Sequence, residues 1–416
     1  MQTVHDHTSA ETAHTPPVRQ ASGPLAGMRV LELAQIMAGP TCGMLLADMG
    51  ADVIKIEKLP GGDDSRNYRE PRIRGVSAPY LVMNRNKRGM ALNLKSDAGK
   101  AVLLRMVESA DVLIENYRHD TLAKMGLGYE ALKVVNPGLI YTAISGYGRT
   151  GPYAEKPGFD LIAQGFAGLM SITGEPNRAP VKTGNSVADI CAGILAATGV
   201  SAAYAHKLKT GEGQQVETSL MEAALHQTFW QASSYFATGE SPGPTGSAHL
   251  LSAPYQAFKT LDGWINIGGA NQSNWERIVG VLGQPQWLQD PRFDTNTARM
   301  QHANVLAEEI GAELILKDCA YWLHVFDAAG VPAGPVHTIG QALSHPQTLA
   351  RDMVVEVDHP TLGAMKTLGC PIHFSATPTQ IDRAAPDLGQ HTTEILLSYG
   401  YTEADVQLMY EQGSIA

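Results

Sequence analysis

A chain of 416 residues exceeds what one hydrophobic core usually supports, so two domains are expected and a small disulfide-stapled scaffold is excluded. Hydrophobic residues make up 44% and charged residues 17%, ordinary globular usage, and no apolar run reads as long enough to cross a bilayer, so a soluble protein is expected. The net charge of −10 argues against nucleic acid or an anionic membrane as partner, while leaving room for a local anion site.

In chain order, residues 1–22 are polar, carry His5, His7, His14 and the pair Pro16–Pro17, and lack the apolar core of a signal peptide, so a disordered tail is expected. From Pro24, short β-rich runs alternate with helical stretches: Val30–Leu33, a helix after Pro40, Asp52–Glu57, Met90–Leu94, a helix over Asp97–Glu108, Asp111–Asn116 and Leu139–Ser145. That rhythm predicts an α/β fold with a parallel sheet. The strand C-termini then gather along one edge, and the loops after Leu33, Glu57, Leu94 and Asn116 are expected to line a site. A helix from Ser186 to about Leu208 carries Gly193, Ala196, Ala197, Gly199, Ala202 and Ala203, small residues suited to close packing in a central position. A strand over Gln215–Glu217 and a helix over Ser219–Phe236 follow, and the turn formers from Ser241 to Gly246 mark a domain boundary. Beyond it, a hairpin of Tyr255–Lys259 with Trp264–Ile267 and helices near Asn274–Leu282, Arg299–Leu316 and Ala320–Ala329 read as an α+β unit. Met353–Val357, the turn His359–Gly363 and helices from Leu388 onward resume a different pattern that rejoins the first domain. The expected division is a tail over 1–22, a large domain over 23–240, a small domain over 241–340 and a returning part over 341–416.

The four cysteines, Cys42, Cys191, Cys319 and Cys370, are far apart and form no ligand spacing, so they read as reduced thiols of a cytoplasmic protein, and no metal site is expected. No Walker spacing, HExxH pair or GxSxG elbow occurs, and Gly126-Leu-Gly128 follows a helix instead of a strand. Between Lys55 and Lys124 stand fourteen basic and nine acidic residues, a net of +5 against −15 for the remainder. Lysines and arginines on the strand-edge loops suit the phosphates of a small molecule; a solvated basic face is the plain alternative. Asp189, in Gly184-Asn-Ser-Val-Ala-Asp189, sits near the start of the long helix. With Ser186 it spells a capping box, and the same place, where a helix N-terminus favours the ionised carboxylate, also suits a nucleophile. The local pattern leaves both readings open.

The stretches Gly50-Ala-Asp-Val-Ile-Lys-Ile-Glu57, Asn84-Arg-Asn-Lys-Arg88, Asp111-Val-Leu-Ile-Glu-Asn-Tyr117, Met125-Gly-Leu-Gly-Tyr129, Ser145-Gly-Tyr-Gly-Arg-Thr-Gly-Pro152, Gly158-Phe-Asp160 and Leu388-Gly-Gln-His-Thr-Thr-Glu394 together resemble the class III (family III) coenzyme A transferases. The resemblance implies a Rossmann-like large domain built from N- and C-terminal parts, a smaller α+β domain and an interlocked homodimer. It implies that Asp189 attacks a donor acyl-CoA to give a mixed anhydride and then an aspartyl-CoA thioester, which the acceptor carboxylate opens. CoA thioesters are then substrates, and no tightly bound cofactor is called for. Covalent catalysis of this kind conserves the thioester's activation provided water is kept out. The implied CoA-binding positions are Gln35, Ile36, Ala38, Lys58, Leu92, Lys95, Asn116, Tyr117, Lys124, Met125 and Lys156, while Asp160 matches a family acid near the nucleophile. The backbone near Gln35–Ala38 and the loop after Gly243 are the implied oxyanion donors.

Departures from the family pattern narrow the substrate. Met37 stands where formyl-CoA:oxalate members carry Gln, and Gly243-Pro-Thr-Gly-Ser-Ala-His-Leu250 where they carry a glycine run, which argues against oxalate or formate. Phe159 stands where racemase relatives place a His, removing one of two proton carriers. Ala253-Pro-Tyr-Gln-Ala-Phe-Lys259 is more similar to members that move CoA among succinate, glutarate and related dicarboxylates. The expected function is CoA transfer from succinyl-CoA to a dicarboxylate or similar small acid. The alternatives are racemisation of a 2-methylacyl-CoA on the same scaffold and non-catalytic acyl-CoA binding.

Overall fold

The computed structural model describes residues 22–416; of the tail expected over 1–22, all but Ser22 lies outside the described residues. The chain divides into two compact units. One takes in the described part of Met1–Phe159 with Ala188–Ala223 and Asp352–Ala416, and the other takes in Asp160–Val187 and Ala224–Arg351.

In the first unit, β1 (Arg29–Glu32), β2 (Asp52–Glu57), β3 (Arg88–Ala91), β4 (Val112–Glu115), β5 (Ile140–Ser145) and β6 (Gln215–Ser219) form one six-stranded sheet in the order β3-β2-β1-β4-β5-β6. Every pairing in it is parallel. Strands buried on both faces read as nearly unbroken apolar runs, and Val30, Leu31, Val112, Leu113 and Ile114 are all fully buried. The strand order reverses between β1 and β4. In open α/β sheets, the loops leaving the carboxyl ends of those two strands frame the ligand crevice.

An exposed edge at β3 would be free to pair with another chain, and the C-terminal stretch covers it. The Gly89 amide donates to His391 Nδ1 (3.0 Å), the His391 amide donates to the Gly89 carbonyl (2.9 Å), and the Ala91 amide donates to Thr392 Oγ1 (3.2 Å). Leu92 forms an antiparallel bridge with Ile415.

Two helices matter for the site. The first, α1 (Ala38–Asp48), follows β1 and begins two residues before Pro40, not after it. Proline is tolerated in a first turn because no intrahelical N–H bond is made there. The second, α2 (Val187–Thr210), has 24 residues and is long and apolar enough to cross a membrane by length and composition, which corrects the expectation that no run is. Its apolar character comes from small core residues: Ala188, Ala192, Gly193, Ala196, Ala197, Val200 and Ala203 are buried.

In the second unit, Tyr255–Lys259 and Ala333–Pro335 flank Trp264–Gly268 in an antiparallel sheet. Helices Gln272–Leu282, Ala303–Leu314 and Cys319–Ala328 close a core around Ile265, Ile267, Trp275, Phe293, Ile310 and Phe326. The buried Arg299 donates to the carbonyls of Ala253 (2.7 Å) and Phe293 (2.9 Å). This unit is wider than the 241–340 read from the sequence. The turn formers Ser241–Gly246 lie inside it, and the Gly246 amide donates to the Gly174 carbonyl (2.8 Å), tying that loop to the 160–187 segment. Two helices expected to be continuous are broken. Leu220–His226 and Phe229–Thr238 are separated where the Gln227 and Thr228 amides take tight-turn bonds to Ala224 and Leu225, and Asn296–Gln301 and Ala303–Leu314 meet at His302.

Candidate active site

The loop linking β1 to α1 is fastened residue by residue. Lys55 Nζ donates to the Ala34 carbonyl (3.0 Å). Asn116, just past β4, accepts the Gln35 amide on Oδ1 (2.9 Å) and donates from Nδ2 to the Gln35 carbonyl (2.8 Å). Asp63 accepts the Ile36 amide on both oxygens, at 3.0 and 3.2 Å. Ile36 has φ 67°, a left-handed conformation that a β-branched side chain adopts only at a cost of about 1–3 kcal/mol. These bonds hold it there. Beyond it, α1 starts without a side-chain cap, so its leading amides, near Met37 and Ala38, keep the orphan donors and positive dipole end of a helix start.

Beneath the loop lies a buried charge cluster. Glu32 bridges Lys55 (3.0 Å) and Lys87 (2.8 Å), with all three side chains fully buried. Burial alone would raise the Asp63 carboxyl, yet the Lys55 ammonium and the Ser65 amide and hydroxyl hold it well below the usual carboxylate range. Burial pulls the Lys87 ammonium down to about 8, against the attraction of Glu32. Arg85, Arg66 and Arg88 are likewise paired, with Asp48, Glu57 and Asp52, each at 2.6 Å. Much of the basic segment is therefore consumed inside the fold. The anion-focusing surface expected of it contracts to exposed side chains such as Lys58, Lys95, Arg118 and Lys124.

The loops after β1, β4 and β5 open on a cavity of about 380 Å³ within the first unit. Of the residues singled out in the sequence, Gln35, Ile36, Ala38, Asn116, Tyr117, Lys156 and Asp189 line it, along with Met37 and Phe159. Asp189 arrives on the first turn of α2. Lys156 and Phe159 are brought in by a close glycine contact: a Cβ on Gly146 would lie 2.7 Å from Gly158 Cα, and one on Gly158 would lie 2.5 Å from Gly146 Cα. Only a glycine pair lets the 153–159 segment lie so near the end of β5. Tyr68, which the sequence reading passed over, has its phenol pushed up by burial and by the negative charges of Asp63 and Asp189.

The other expected positions do not line the cavity, although Lys58 is bonded to two residues that do. Lys58 donates to Gln35 Oε1 (3.2 Å) and Asp64 Oδ1 (2.5 Å). Leu92 is fully buried in the core, Met125 packs against the same core, and Lys95 and Lys124 are exposed; none of these lines the cavity. Asp160 belongs to the second unit, where it opens the helix Asp160–Phe166 and its Oδ2 accepts from Gln164 Nε2 (2.7 Å).

A carboxylate sharing a cavity with the uncapped start of a second helix has the parts for acyl transfer: a nucleophile, and amide donors for the oxyanion that each tetrahedral step develops. The sequence pattern of CoA-transferase family III matches residues 25–392. The chain belongs to that family. It is 39% identical over 379 residues to the succinate–glutarate CoA-transferase of Agrobacterium fabrum, covering 90% of this chain and 95% of that protein. It is 36% identical to the human succinyl-CoA:glutarate CoA-transferase, covering 90% of this chain and 85% of that one. The crystal structure of a CaiB/BaiF family protein from Brucella suis superposes with a TM-score of 0.81 at 36% identity, covering 91% of this chain and all of that one. CoA-transferases take CoA thioesters as substrates. In this family III chain, Lys58, Lys95 and Lys124 stand exposed on the segments that follow β2, β3 and β4, along the same sheet edge as the cavity.

Proposed function

We propose that this enzyme transfers CoA from succinyl-CoA to a small dicarboxylic acid through intermediates carried on Asp189. The carboxylate attacks the thioester carbonyl, the C–S bond breaks, and CoA leaves as thiolate from a succinyl–aspartyl anhydride. The thiolate then attacks the aspartyl carbonyl, releasing succinate and forming an aspartyl-CoA thioester. The acceptor carboxylate opens that thioester to a second anhydride, and the returning thiolate cleaves it at the acceptor's carbonyl, freeing Asp189. No redox partner and no metal enter the balance.

The observation that carries this reading is that Asp189 and the uncapped start of α1 line one cavity at the reversal point of the sheet. Phe159 in the same lining offers no proton carrier, which favours transfer over racemisation. The dicarboxylate preference is supported by the named activities of the Agrobacterium and human relatives. A homodimer is supported by the Phe229–Thr238 helix, which has no buried residue and leaves Phe229, Trp230 and Phe236 between 60% and 83% exposed.

The test is incubation with succinyl-CoA and a panel of carboxylic acids, followed by mass spectrometry of new thioesters. Dicarboxylates should give product and Asp189→Ala should give none. Transfer by Asp189→Ala overturns the mechanism, and failure of every dicarboxylate overturns the substrate assignment.

A further inference from the structure

Gly193 lies four residues beyond Asp189 on α2, so the two share one face of the helix, a turn apart. A Cβ at Gly193 would lie 2.5 Å from the Ala38 carbonyl oxygen, 2.6 Å from Thr41 Cβ and 2.9 Å from Thr41 Cγ2. The missing side chain is thus the seat on which α2 rests against the first turns of α1. That seat has no give on the α1 side. Gly39 and Gly43 point roughly opposite to Ala38 and Thr41 around α1 and are pressed equally hard: a Cβ on Gly39 would meet Ala34 Cβ at 2.1 Å, and one on Gly43 would meet Glu32 Oε2 at 1.9 Å. Lys87 also pins α1 through the Pro40 carbonyl at 2.9 Å. Bulk added at Gly193 must therefore displace α2, and Asp189 travels with it.

We propose that Gly193 is a positioning residue: the absence of its side chain sets the spacing between the Asp189 carboxylate and the leading amides of α1. The inference rests on the reading of Asp189 as nucleophile. Glycine inside a helix is less stable than alanine, so alanine would be the better choice here were the space open. An oxyanion donor works only within roughly 2.7–3.1 Å of the developing charge, and a displacement of about 1 Å can cost on the order of 100-fold in rate.

The test compares Gly193→Ala with Gly199→Ala in the full-length enzyme. Gly199 lies on the same helix, but its added Cβ would meet only Val216 Cγ1 (2.7 Å), the end of a movable side chain. Gly193→Ala should lower kcat by roughly 100-fold, with KM for the acyl-CoA within about 3-fold, and slow thiol release in a single turnover by the same factor. Gly199→Ala should stay within about 3-fold of wild type in both. If Gly193→Ala does not fold, Thr41→Ile thickens the same contact from α1 and should cost roughly 10-fold in kcat at unchanged KM. Wild-type kcat in the folded variant, or a loss that melting curves attribute wholly to unfolded protein, overturns the proposal. An active Asp189→Ala would remove the nucleophile and this inference together, whereas an inactive Asp189→Ala beside a fully active Gly193→Ala removes this inference alone.

Discussion

Lys55 and Asp63 form an ion pair of 2.8 Å in which neither side chain is more than 1% exposed. Because the same carboxylate carries the Ile36 amide, the charge balance beneath the sheet edge is coupled to the shape of the loop that lines the cavity. Breaking a buried pair from one side leaves an uncompensated charge, typically costing about 3–5 kcal/mol. Asp63→Asn keeps an oxygen for Ile36 but strips the charge opposite Lys55. Its urea midpoint should fall accordingly at unchanged slope, and stability within about 1 kcal/mol of wild type would refute the coupling.

Asn116 is the other clasp. Asn116→Ala loses both bonds to the Gln35 peptide, at about 0.5–1.5 kcal/mol each, and should raise KM for the acyl-CoA several-fold. Asn116→Asp, which keeps the acceptor and loses the donor, should fall between. Equal effects of the two substitutions in steady-state kinetics would show that only the donated bond matters.

The His391 ring is pulled down to about 4 from an ordinary 6.5, chiefly by burial and by the nearby Arg383 charge. Its Nδ1 must stay unprotonated to accept the Gly89 amide. A group whose folded pKa is lowered takes up protons more readily in the unfolded chain. Its stabilising contribution is therefore full above about 6.5 and withdrawn as the pH falls toward 4. Thermal unfolding should show a midpoint that declines across this window, and His391→Gln should flatten the decline. A wild-type midpoint that is level from pH 6.5 to 4 would count against the assignment.

Lys58 is exposed and bonded to Gln35 and Asp64, two residues of the cavity lining. Exposed charges act through screened attraction, so Lys58→Ala should weaken CoA binding roughly 3- to 10-fold at low salt. The two affinities should converge at high salt in calorimetric titration. A salt-independent difference would point to a packing role instead.

The parallel sheet was legible because its strands write themselves as apolar runs: Val53, Ile54 and Ile56 in β2, and Val112, Leu113 and Ile114 in β4, are all buried. Of the four loops expected to line a site, those after Leu33 and Asn116 line the cavity, the one after Glu57 contributes only Asp64 and the one after Leu94 contributes nothing, while the loop after Ser145, not expected, supplies Ala154–Phe159. What the sequence withheld were relations between distant residues. Nothing in Ile36 announces a left-handed backbone, since β-branched residues avoid it, and nothing in Asp63 points 27 residues back. Lys55, set between Ile54 and Ile56, did carry a signal, because a lysine in a doubly covered strand needs a buried partner. The outer limits of the second unit were missed because the turn formers Ser241–Gly246 read as a border, whereas they lie inside that unit, where the Gly246 amide bonds to the Gly174 carbonyl.

The cover over β3 gives the order of synthesis a physical meaning. Gly89 waits for His391, and Leu92 waits for Ile415, so a ribosome emits nearly the whole polypeptide before that flank of the sheet can be shut. Throughout that interval the nascent chain offers unpaired amides and carbonyls to any neighbour. Removing the last helices would make that passing vulnerability permanent, with aggregation as its consequence.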